Sequence, residues 1–317
     1  MAEIPEAQWH ALSAAAALPF YSWRWLVALE RSASVVPRQG WQPCHLALWR
    51  GDRLIAAAPL YLKGHSYGEF VFDQSFAQLA AQLGERYYPK LVGMSPLSPV
   101  LGYRFLVAAG EDEAALTALM LELIDQFCRE HAIFSCNFLY VDPAWRPLAE
   151  QAGCAAWLNQ QSLWSNQSYQ TFNDYLASFN ANQRRNIKRE RKAIEAAGLL
   201  VTPVVGDQIS AELLRRMHGF YAQHCARWGP WGSKYLTAEF FEIAASELRE
   251  HLVLFSAHRG DPLNPVAMSC CVHHGDQLWG RYWGSDEEIE HLHFEVCYYA
   301  PIEWAIGRGI QLVSPAF

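Results

Sequence analysis

The sequence predicts a mixed α/β fold arranged in two domains. The chain has 317 residues, more than one hydrophobic core usually holds, so we expect two domains of roughly 150 residues each. Segments with helical periodicity alternate with short strand-like runs, and both halves repeat one order of elements. That order is a helix, an antiparallel hairpin, a further strand, a helix and another strand. Interleaving of this kind predicts mixed, mostly antiparallel sheets flanked by helices.

The composition excludes several classes of protein. Hydrophobic residues make up 51% of the chain and charged residues 18%, which excludes a disordered chain. The net charge of −7 argues against a protein that binds duplex DNA. The cysteines lack the spacing of a zinc or redox motif, so we expect reduced thiols in a cytoplasmic protein and no metal site. No apolar run approaches the roughly 20 residues of a membrane-spanning helix.

The beginning of the first half is predicted to contain a helix, a hairpin and a strand. Apolar residues recur at helical spacing over residues 20–33. The apolar runs 43–49 and 54–62 flank an Arg-Gly-Asp turn, which predicts a hairpin. Residues 66–72 alternate as in a strand, and Asp73 then stands where a helix N-cap belongs.

The remainder of the first half ends at a polar junction near residue 160. Acidic residues followed by an apolar stripe predict a helix over residues 111–131. We expect strands at 132–141 and 154–158, with a short helix at 143–151 between them. The polar stretch that follows places the domains at residues 1–160 and 161–317.

The second half has clear capping and turn signals. Thr171 and Asp174 predict a capping box for a helix over 171–179, and Gly198 ends a helix over 183–197. The other predicted elements are strands at 199–205, 252–258, 265–273, 277–283 and 310–313, and helices at 210–226, 237–250 and 291–307.

Several motifs are distributed along the chain: SYGEFVFD (66–73), RYYPKL (86–91), SPV-x-GYR (98–104), NQRRNIKRERK (182–192) and GRYWG…HLHFEVCYY (280–299). Together they resemble the FemAB-like branch of the GNAT (acyl-CoA N-acyltransferase) superfamily, which is labelled peptidoglycan biosynthesis or recognition. The resemblance implies two tandem GNAT-like domains and a transferase that moves an acyl or aminoacyl group to an amine.

The resemblance also predicts an incomplete second domain. Members of this branch usually continue past the last strand with a segment rich in glycine that bears histidine and lysine. The present sequence stops at residues 313–317, before such a segment. We therefore expect an exposed sheet edge through which the chain can form a homo-oligomer.

A basic run is the strongest electrostatic feature of the sequence. Helical spacing places these cations along one ridge, which suits the phosphates of a nucleotide-linked cell-wall precursor, a lipid headgroup or charged tRNA. The alternative is a solvated helix face without a ligand. The predicted substrate-binding residues here are Arg184, Arg185, Lys188 and Arg189, followed by Arg191 and Lys192.

The predicted catalytic residues lie near the end of the chain. On a helix, His291, Glu295 and Tyr298 share one face, and either Glu295 or His293 would deprotonate the attacking amine. One alternative pairs Glu295 with an arginine such as Arg281 and leaves the histidines structural. Another takes His-x-His-x-Glu as metal ligands on a strand, which the helical pattern disfavours.

Further site residues follow from the resemblance to GNAT folds, in which the donor lies where two strands separate. Tyr282 would protonate the leaving group, Arg281 would bind substrate, and Gly284 would let a ligand approach the backbone; a core position is the alternative for Tyr282. Asp73 is equally well explained as a helix cap. The corresponding substrate-binding residues of the first domain are Tyr67, Glu69, Asp73, Tyr88 and Arg104.

The donor is predicted to be acyl-CoA or aminoacyl-tRNA, and no other cofactor is expected. The glycine-rich pyrophosphate loop of acetyl-CoA enzymes is missing, and residues 284–288 are acidic, which disfavours ordinary CoA binding. FemAB-type transferases also lack that loop and use charged tRNA. The alternative function is a non-catalytic module that recognises a glycan or a nucleotide-linked ligand.

Overall fold

The chain folds into two compact units. The computed structural model describes residues 1–13, 18–229 and 234–314, and so leaves the last residues of the chain, 315–317, outside the description. One unit comprises Met1–Asn159 with Tyr235–Phe240, and the other comprises Gln160–Lys234 with Phe241–Phe317. Both combine helices with mostly antiparallel strands, which confirms the predicted mixed α/β class.

The first unit contains two small sheets. Its strands are β1 (Gln42–Pro43), β2 (Leu46–Arg50), β3 (Arg53–Ala58), β4 (Tyr61–Lys63), β5 (Lys90–Gly93), β6 (Leu106–Val107) and β7 (Ser135–Phe138). One sheet has the order β1-β4-β5-β7 and is antiparallel except between β5 and β7. The other has the order β2-β3-β6, and its β2–β3 pair confirms the predicted hairpin.

The helices of the first unit pack on an aromatic core. They are α1 (Glu6–Ser13), α2 (Trp23–Arg31), α3 (Gln74–Gln82), α4 (Glu113–Glu130) and α5 (Arg146–Gln151). Helices α2 and α4 confirm the helices predicted at 20–33 and 111–131, and the Asp112 side chain caps α4 by accepting from the Ala115 amide. Fully buried rings fill the core, among them Trp9, Trp25, Trp41 and Trp145.

Two strands predicted in the first half are wrong. Residues 66–72 form a loop, because Gly68 and Phe70 take left-handed φ angles of 79° and 57° that no strand accommodates. The loop precedes α3 and holds the buried acidic residues described below. Residues 154–158 also lie outside any strand, and Trp157 is half exposed instead of covered by a sheet. The strand at residues 66–72 was predicted from alternating apolar residues, and such a pattern carries no information about the φ angles of the backbone.

The second unit is built around one six-stranded sheet. Its strands are β8 (Trp164–Ser165), β9 (Leu200–Val205), β10 (Leu252–His258), β11 (Ala267–His274), β12 (Gln277–Ser285) and β13 (Leu312–Ser314). The order is β8-β13-β12-β11-β10-β9, antiparallel except between β12 and β13. The sheet confirms the five strands predicted for the second half and adds β8.

The helices of the second half lie where they were predicted, but π-helical turns at Ala244–Leu248 and Glu295–Tyr299 interrupt the two predicted at 237–250 and 291–307. They are α6 (Phe172–Ala177), α7 (Ala181–Ala196), α8 (Ala211–Arg227), α10 (Leu292–Phe294) and α11 (Ala300–Gly307), while α9 (Ala238–Ile243) spans the division between the units. Thr171 and Asp174 form the predicted capping box of α6. Within the described part of the chain, no helix is long and apolar enough to cross a membrane.

Strand β12 is shaped by a bulge and by a glycine. Arg281 is the extra residue where the register with β11 shifts, because Cys270 pairs with Tyr282 and Cys271 with Gly280. A Cβ atom on Gly284 would lie 2.2 Å from the carbonyl oxygen of Phe220 in α8. The predicted role of Gly284, approach of a ligand to the backbone, is therefore wrong: the glycine lets α8 pack directly on the sheet.

We expect Gly284→Ala to lower the free energy of unfolding by about 3 kcal/mol, because helix and strand would have to separate to admit the methyl group. Gly307→Ala is the matched control, since its added Cβ would meet no atom within 4 Å, and it should be neutral or slightly stabilising. Urea unfolding followed by circular dichroism measures both. Equal stability of the two variants would contradict the packing described for Gly284.

Candidate active site

A buried carboxylate joins the basic helix to the predicted catalytic segment. Glu295 is 5% exposed, and Arg191 donates to both of its oxygens from Nε and Nη2 over 3.0–3.2 Å. The same guanidinium donates to Glu303 Oε2 over 2.7 Å and lies 4.7 Å from the ring centre of Phe172. Burial raises the pKa of Glu295, and the opposing charge of Arg191 limits that rise. The arginine partner of Glu295 is therefore Arg191, and not the suggested Arg281.

This pairing divides the cations of α7 into two faces. Arg191 is committed to Glu295, and Arg184 donates to the Phe179 carbonyl over 3.1 Å. The other four cations point into solvent at spacings of three, four and seven residues, which places them on one exposed side of the helix. We call this set the α7 basic stripe: Arg185, Lys188, Arg189 and Lys192.

His293 lines an open depression in the second unit, and Glu295 does not belong to the lining of that depression. The depression has a volume of about 350 Å³ and is lined mainly by residues 283–294 with Arg227. The His293 ring centre lies 4.7 Å from that of Trp283, and the His224 ring centre lies 5.4 Å from that of Trp283. Burial, with a smaller contribution from His224, lowers the pKa of His293, so its imidazole is neutral at neutral pH.

The helical register of this segment differs from the prediction. Residues Glu295–Tyr299 form a π-helical turn, and His291 stands before the helix with a left-handed φ of 67°. In such a turn residues five apart become neighbours. Tyr298 therefore lies against His293, with ring centres 5.6 Å apart, while Glu295 turns into the interior. The predicted shared face of His291, Glu295 and Tyr298 is wrong, because it assumed an unbroken α-helical period.

Tyr282 and Arg281 point away from solvent. Tyr282 is 8% exposed, with its ring against Tyr221 and Phe241 at centre distances of 5.5 and 5.8 Å. This packing favours the core position over protonation of a leaving group. Arg281 is 7% exposed, and its guanidinium lies 5.5 Å from the Tyr282 ring centre.

In the first unit, two of the predicted substrate-binding acids belong to a buried ion cluster. Lys63 and Lys90 are directly opposite each other on β4 and β5, where like charges repel. Lys90 Nζ donates to Glu69 over 2.7 Å and to Asp73 over 2.5 Å, and Lys63 Nζ lies 3.8 Å from Glu69. All four side chains are almost fully buried, so Glu69 and Asp73 neutralise the lysines and do not face a substrate.

The environment of this cluster changes its acid–base behaviour. Burial lowers the pKa of Lys63 to about 7, although Glu69 opposes the change. Burial also raises the pKa of Glu69, against the charge of Lys90. For Asp73, burial is outweighed by hydrogen bonds from Lys90, Ser66 and Tyr87, which lower its pKa. In the described residues, Glu69 Oε1 and Asp73 Oδ1 accept no hydrogen bond.

The remaining predicted residues of the first unit are dispersed. Tyr88 borders the cluster: its hydroxyl and Ser66 Oγ are hydrogen-bonded over 2.8 Å, and Lys90 Nζ lies 5.7 Å from its ring centre. The Tyr67 side chain is 58% exposed, and only its carbonyl takes part, accepting from Lys63. Arg104 instead pairs with Glu113 and Asp142. The structure thus does not collect these residues around one solvent-accessible site.

Asp73 takes the predicted N-cap position of α3, but its carboxylate does not cap the helix. It accepts from Lys90 and from the Tyr87 hydroxyl instead.

Among the described residues, no group of three or more His, Cys, Asp or Glu side chains is arranged to hold a metal ion.

Sequence reasoning missed four residues that shape these sites. Lys63 is the last residue of β4 and Lys90 the first residue of β5, and both strands are otherwise apolar. A lysine at the end of an apolar run was therefore a signal that the sequence offered. His224 and Arg227 lie in the last turn of α8, far along the chain from His293, so no local pattern connected them with it.

Comparison with known proteins found one family. The FemAB-like family, described as peptidoglycan biosynthesis/recognition, matches residues 1–316. A search of curated proteins found no match.

Several solved structures are similar to the chain at low identity, among them the following three. A conserved protein of unknown function from Bacteroides thetaiotaomicron shares 11% identity at a TM-score of 0.48, covering 98% of this chain and 87% of its own. FemX shares 12% identity at a TM-score of 0.47, covering 92% of this chain and 81% of its own. A tandem GNAT protein from the clavulanic acid biosynthesis pathway shares 13% identity at a TM-score of 0.44, covering 98% of this chain and 85% of its own. Because all three TM-scores are below 0.5, the assignment depends on the family match.

We expect Arg191→Ala to lower the free energy of unfolding by about 2–4 kcal/mol, because it leaves the Glu295 carboxylate buried without its cation. Arg185→Ala, on the exposed side of the same helix, should change it by less than about 0.5 kcal/mol. Urea unfolding of both variants measures the difference. A loss at Arg191 no larger than that at Arg185 would show that the ion pair contributes little.

The stability of the first unit should depend on pH through Lys63. The unfolded lysine keeps its proton up to its ordinary pKa of 10.5, whereas the folded one loses it near 7. The unfolded chain therefore binds more protons between these values, and Lys63 makes folding more favourable as pH rises from about 7 to 10.

Relative to Lys63→Met, the unfolding free energy of the unaltered protein should rise by up to about 1.4 kcal/mol per pH unit in that window. Denaturant titrations at several pH values measure this slope. Lys192→Met, at an exposed position, is the control and should run parallel to the unaltered protein. A difference between unaltered and Lys63→Met protein that is independent of pH would refute the assignment.

Proposed function

Because the chain belongs to the FemAB-like family, we propose that it transfers an acyl or aminoacyl group to an amine, with a peptidoglycan precursor as the acceptor. The family description, peptidoglycan biosynthesis/recognition, supports the class of acceptor. The observation that carries the proposal is the position of His293, a neutral imidazole at the wall of an open depression of about 350 Å³.

The chemistry requires a base, since an ammonium group has no lone pair with which to attack. His293 accepts a proton from the amine, whose nitrogen then forms a bond to the acyl carbon. The bond from that carbon to the oxygen or sulfur of the donor breaks, and the leaving group takes the proton that His293 accepted from the amine. A lowered pKa keeps His293 unprotonated and ready at neutral pH. Trp283 and Phe294 supply apolar walls. Arg227 also lines the depression, where it pairs with Glu288 over 3.5 Å.

Glu295 acts in this proposal as a positioning residue. Both of its oxygens accept from Arg191, so its lone pairs are engaged and it is 5% exposed. Of the two bases that the sequence predicted, His293 therefore has the access that the reaction needs. Glu295 holds the start of the π-helical turn whose neighbouring residues line the depression.

The donor is proposed to carry phosphates, as acyl-CoA and aminoacyl-tRNA both do. The α7 basic stripe offers four exposed cations for them, on the helix whose Arg191 contacts Glu295. The acidic segment after β12 repels phosphate less than its sequence suggests. Three of its acids face arginines: Asp286 and Arg216 at 3.9 Å, Glu287 and Arg259 at 2.7 Å, and Glu288 and Arg227 at 3.5 Å.

The second candidate is a non-catalytic module that binds a glycan or a nucleotide-linked ligand. The engagement of Glu295 by Arg191 favours it, because one of the two predicted bases is occupied by structure. Such a module would use the same aromatic depression and basic stripe for binding alone. Binding of precursor without turnover in the presence of either donor would support this function over transfer.

The transfer proposal is tested with His293→Gln, using a UDP-linked muropeptide as acceptor and acyl-CoA or aminoacyl-tRNA as donor. We expect kcat to fall by about 10²–10⁴-fold with little change in precursor affinity, because the substitution removes the base and keeps the size of the side chain. The acid limb of kcat/KM in the unaltered protein should lie below pH 6.5, the ordinary pKa of histidine, since burial lowers that of His293.

His218→Gln is the matched control: this histidine is also half-buried in the second unit, with a lowered pKa, but packs against Phe241. Its turnover should stay within about twofold of the unaltered protein. Equal losses in the two variants, or full activity of His293→Gln, would remove His293 from the mechanism. Unchanged turnover of Glu295→Gln is compatible with a positioning role and would exclude Glu295 as the base.

A further inference from the structure

Helix α3 of the first unit turns its apolar side toward solvent. Each of its nine residues is exposed or half-buried. Ala77 and Ala80 are the half-buried ones and therefore face the rest of the unit. Phe76 and Leu79 are 46% and 52% exposed, and Leu83, directly after the helix, is 70% exposed. Their spacing of three and four residues places them along one side, so the helix rests on two alanines and presents its larger side chains outward.

Exposed apolar residues also lie next to this helix, in space or in the chain. The ring centre of Trp157 lies 5.0 Å from that of Phe76, and Trp157 is itself 50% exposed. Leu158, next in the chain, is 75% exposed, and Phe72, just before α3, is 82% exposed. We define the α3 patch as these exposed side chains: Phe72, Phe76, Leu79, Leu83, Trp157 and Leu158.

The size of the α3 patch matches one side of a stable protein interface. The six side chains are 46–82% exposed, and a large apolar side chain has about 150–250 Å² of surface, so together they present on the order of 700 Å². The largest apolar patch on a typical monomer covers about 300–600 Å². A standard protein–protein interface buries about 800 Å² on each partner. Exposed apolar surface of this extent is therefore enough for a stable contact.

The polar residues of α3 distinguish between kinds of partner. The helix sequence QSFAQLAAQ is uncharged, and its exposed glutamines Gln74, Gln78 and Gln82 recur every four residues. Helices that lie on a membrane surface usually carry lysine and arginine on the polar side, and a net charge of −7 opposes approach to anionic lipid. Carboxamides instead both donate and accept hydrogen bonds across a protein interface.

We infer that the α3 patch is a self-association surface that pairs with a second copy of this chain about a two-fold axis. In such an interface each residue near the axis meets its own copy, so a charged patch would repel itself. An uncharged apolar stripe bordered by glutamines is complementary to itself. The interface is independent of the transfer reaction, because its residues belong to the first unit and His293 to the second.

The test is sedimentation velocity on the full chain from about 1 to 100 μM, a range that spans the affinities of ordinary dimers. The unaltered protein should form a dimer in this range. Leu79→Glu should raise the dissociation constant by about a hundredfold, because two carboxylates would meet near the axis. Leu119→Glu is the matched control, since Leu119 is 43% exposed on α4 of the same unit, and it should leave the dimer unchanged.

Circular dichroism and the unfolding midpoint establish that each variant is folded. Should Leu79→Glu fail that check, Leu83→Glu replaces it, because Leu83 is 70% exposed and follows the last helical residue of α3. An unaltered protein that is monomeric throughout the range overturns the inference, as does a dimer that survives these substitutions. Co-sedimentation with phosphatidylglycerol vesicles that Leu79→Glu abolishes, without self-association, would assign the patch to lipid and also overturn it.

Discussion

The second unit depends on the burial of one carboxylate. Glu295 is held inside the protein by Arg191, and an uncompensated carboxylate there would cost several kcal/mol. The pair ties α7 to the segment that carries His293. It also determines which cations of α7 remain in solvent, because Arg191 is turned inward while the basic stripe is turned outward. Because of this contact, Glu295 has a structural role, and His293 is the residue that stays accessible.

The first unit solves the same electrostatic problem with different residues. Lys63 and Lys90 stand opposite each other on neighbouring strands, an arrangement that is unfavourable unless negative charge is near. The loop over residues 64–73 supplies Glu69 and Asp73, and the Tyr140 hydroxyl donates to the carbonyls of Glu69 and Phe70. The loop is therefore held by side chains, and the sheet contributes no strand pairing to it among the described residues.

Individual elements show what could be predicted from the sequence and what could not. Periodicity and capping signals predicted α4, α6, α8 and the β10–β12 meander, because these depend on residues close in the chain. They also singled out His293, Glu295 and the cations of α7. They failed at residues 66–72, where left-handed φ angles override an alternating pattern, and at the π-helical turn, where the period changes from 3.6 to a wider value.

The sequence by itself determined the fold class, the family and the residue types available for chemistry, since these are carried by local pattern and motif. Only the tertiary structure decided what each charged side chain does. It paired Glu295 with Arg191 and Glu69 with Lys90, across separations of 104 and 21 residues. It brought His224 beside the Trp283–His293 pair and left the α3 patch in solvent. The physical reason is that burial and charge pairing are set by packing between distant segments, which one-dimensional patterns do not record.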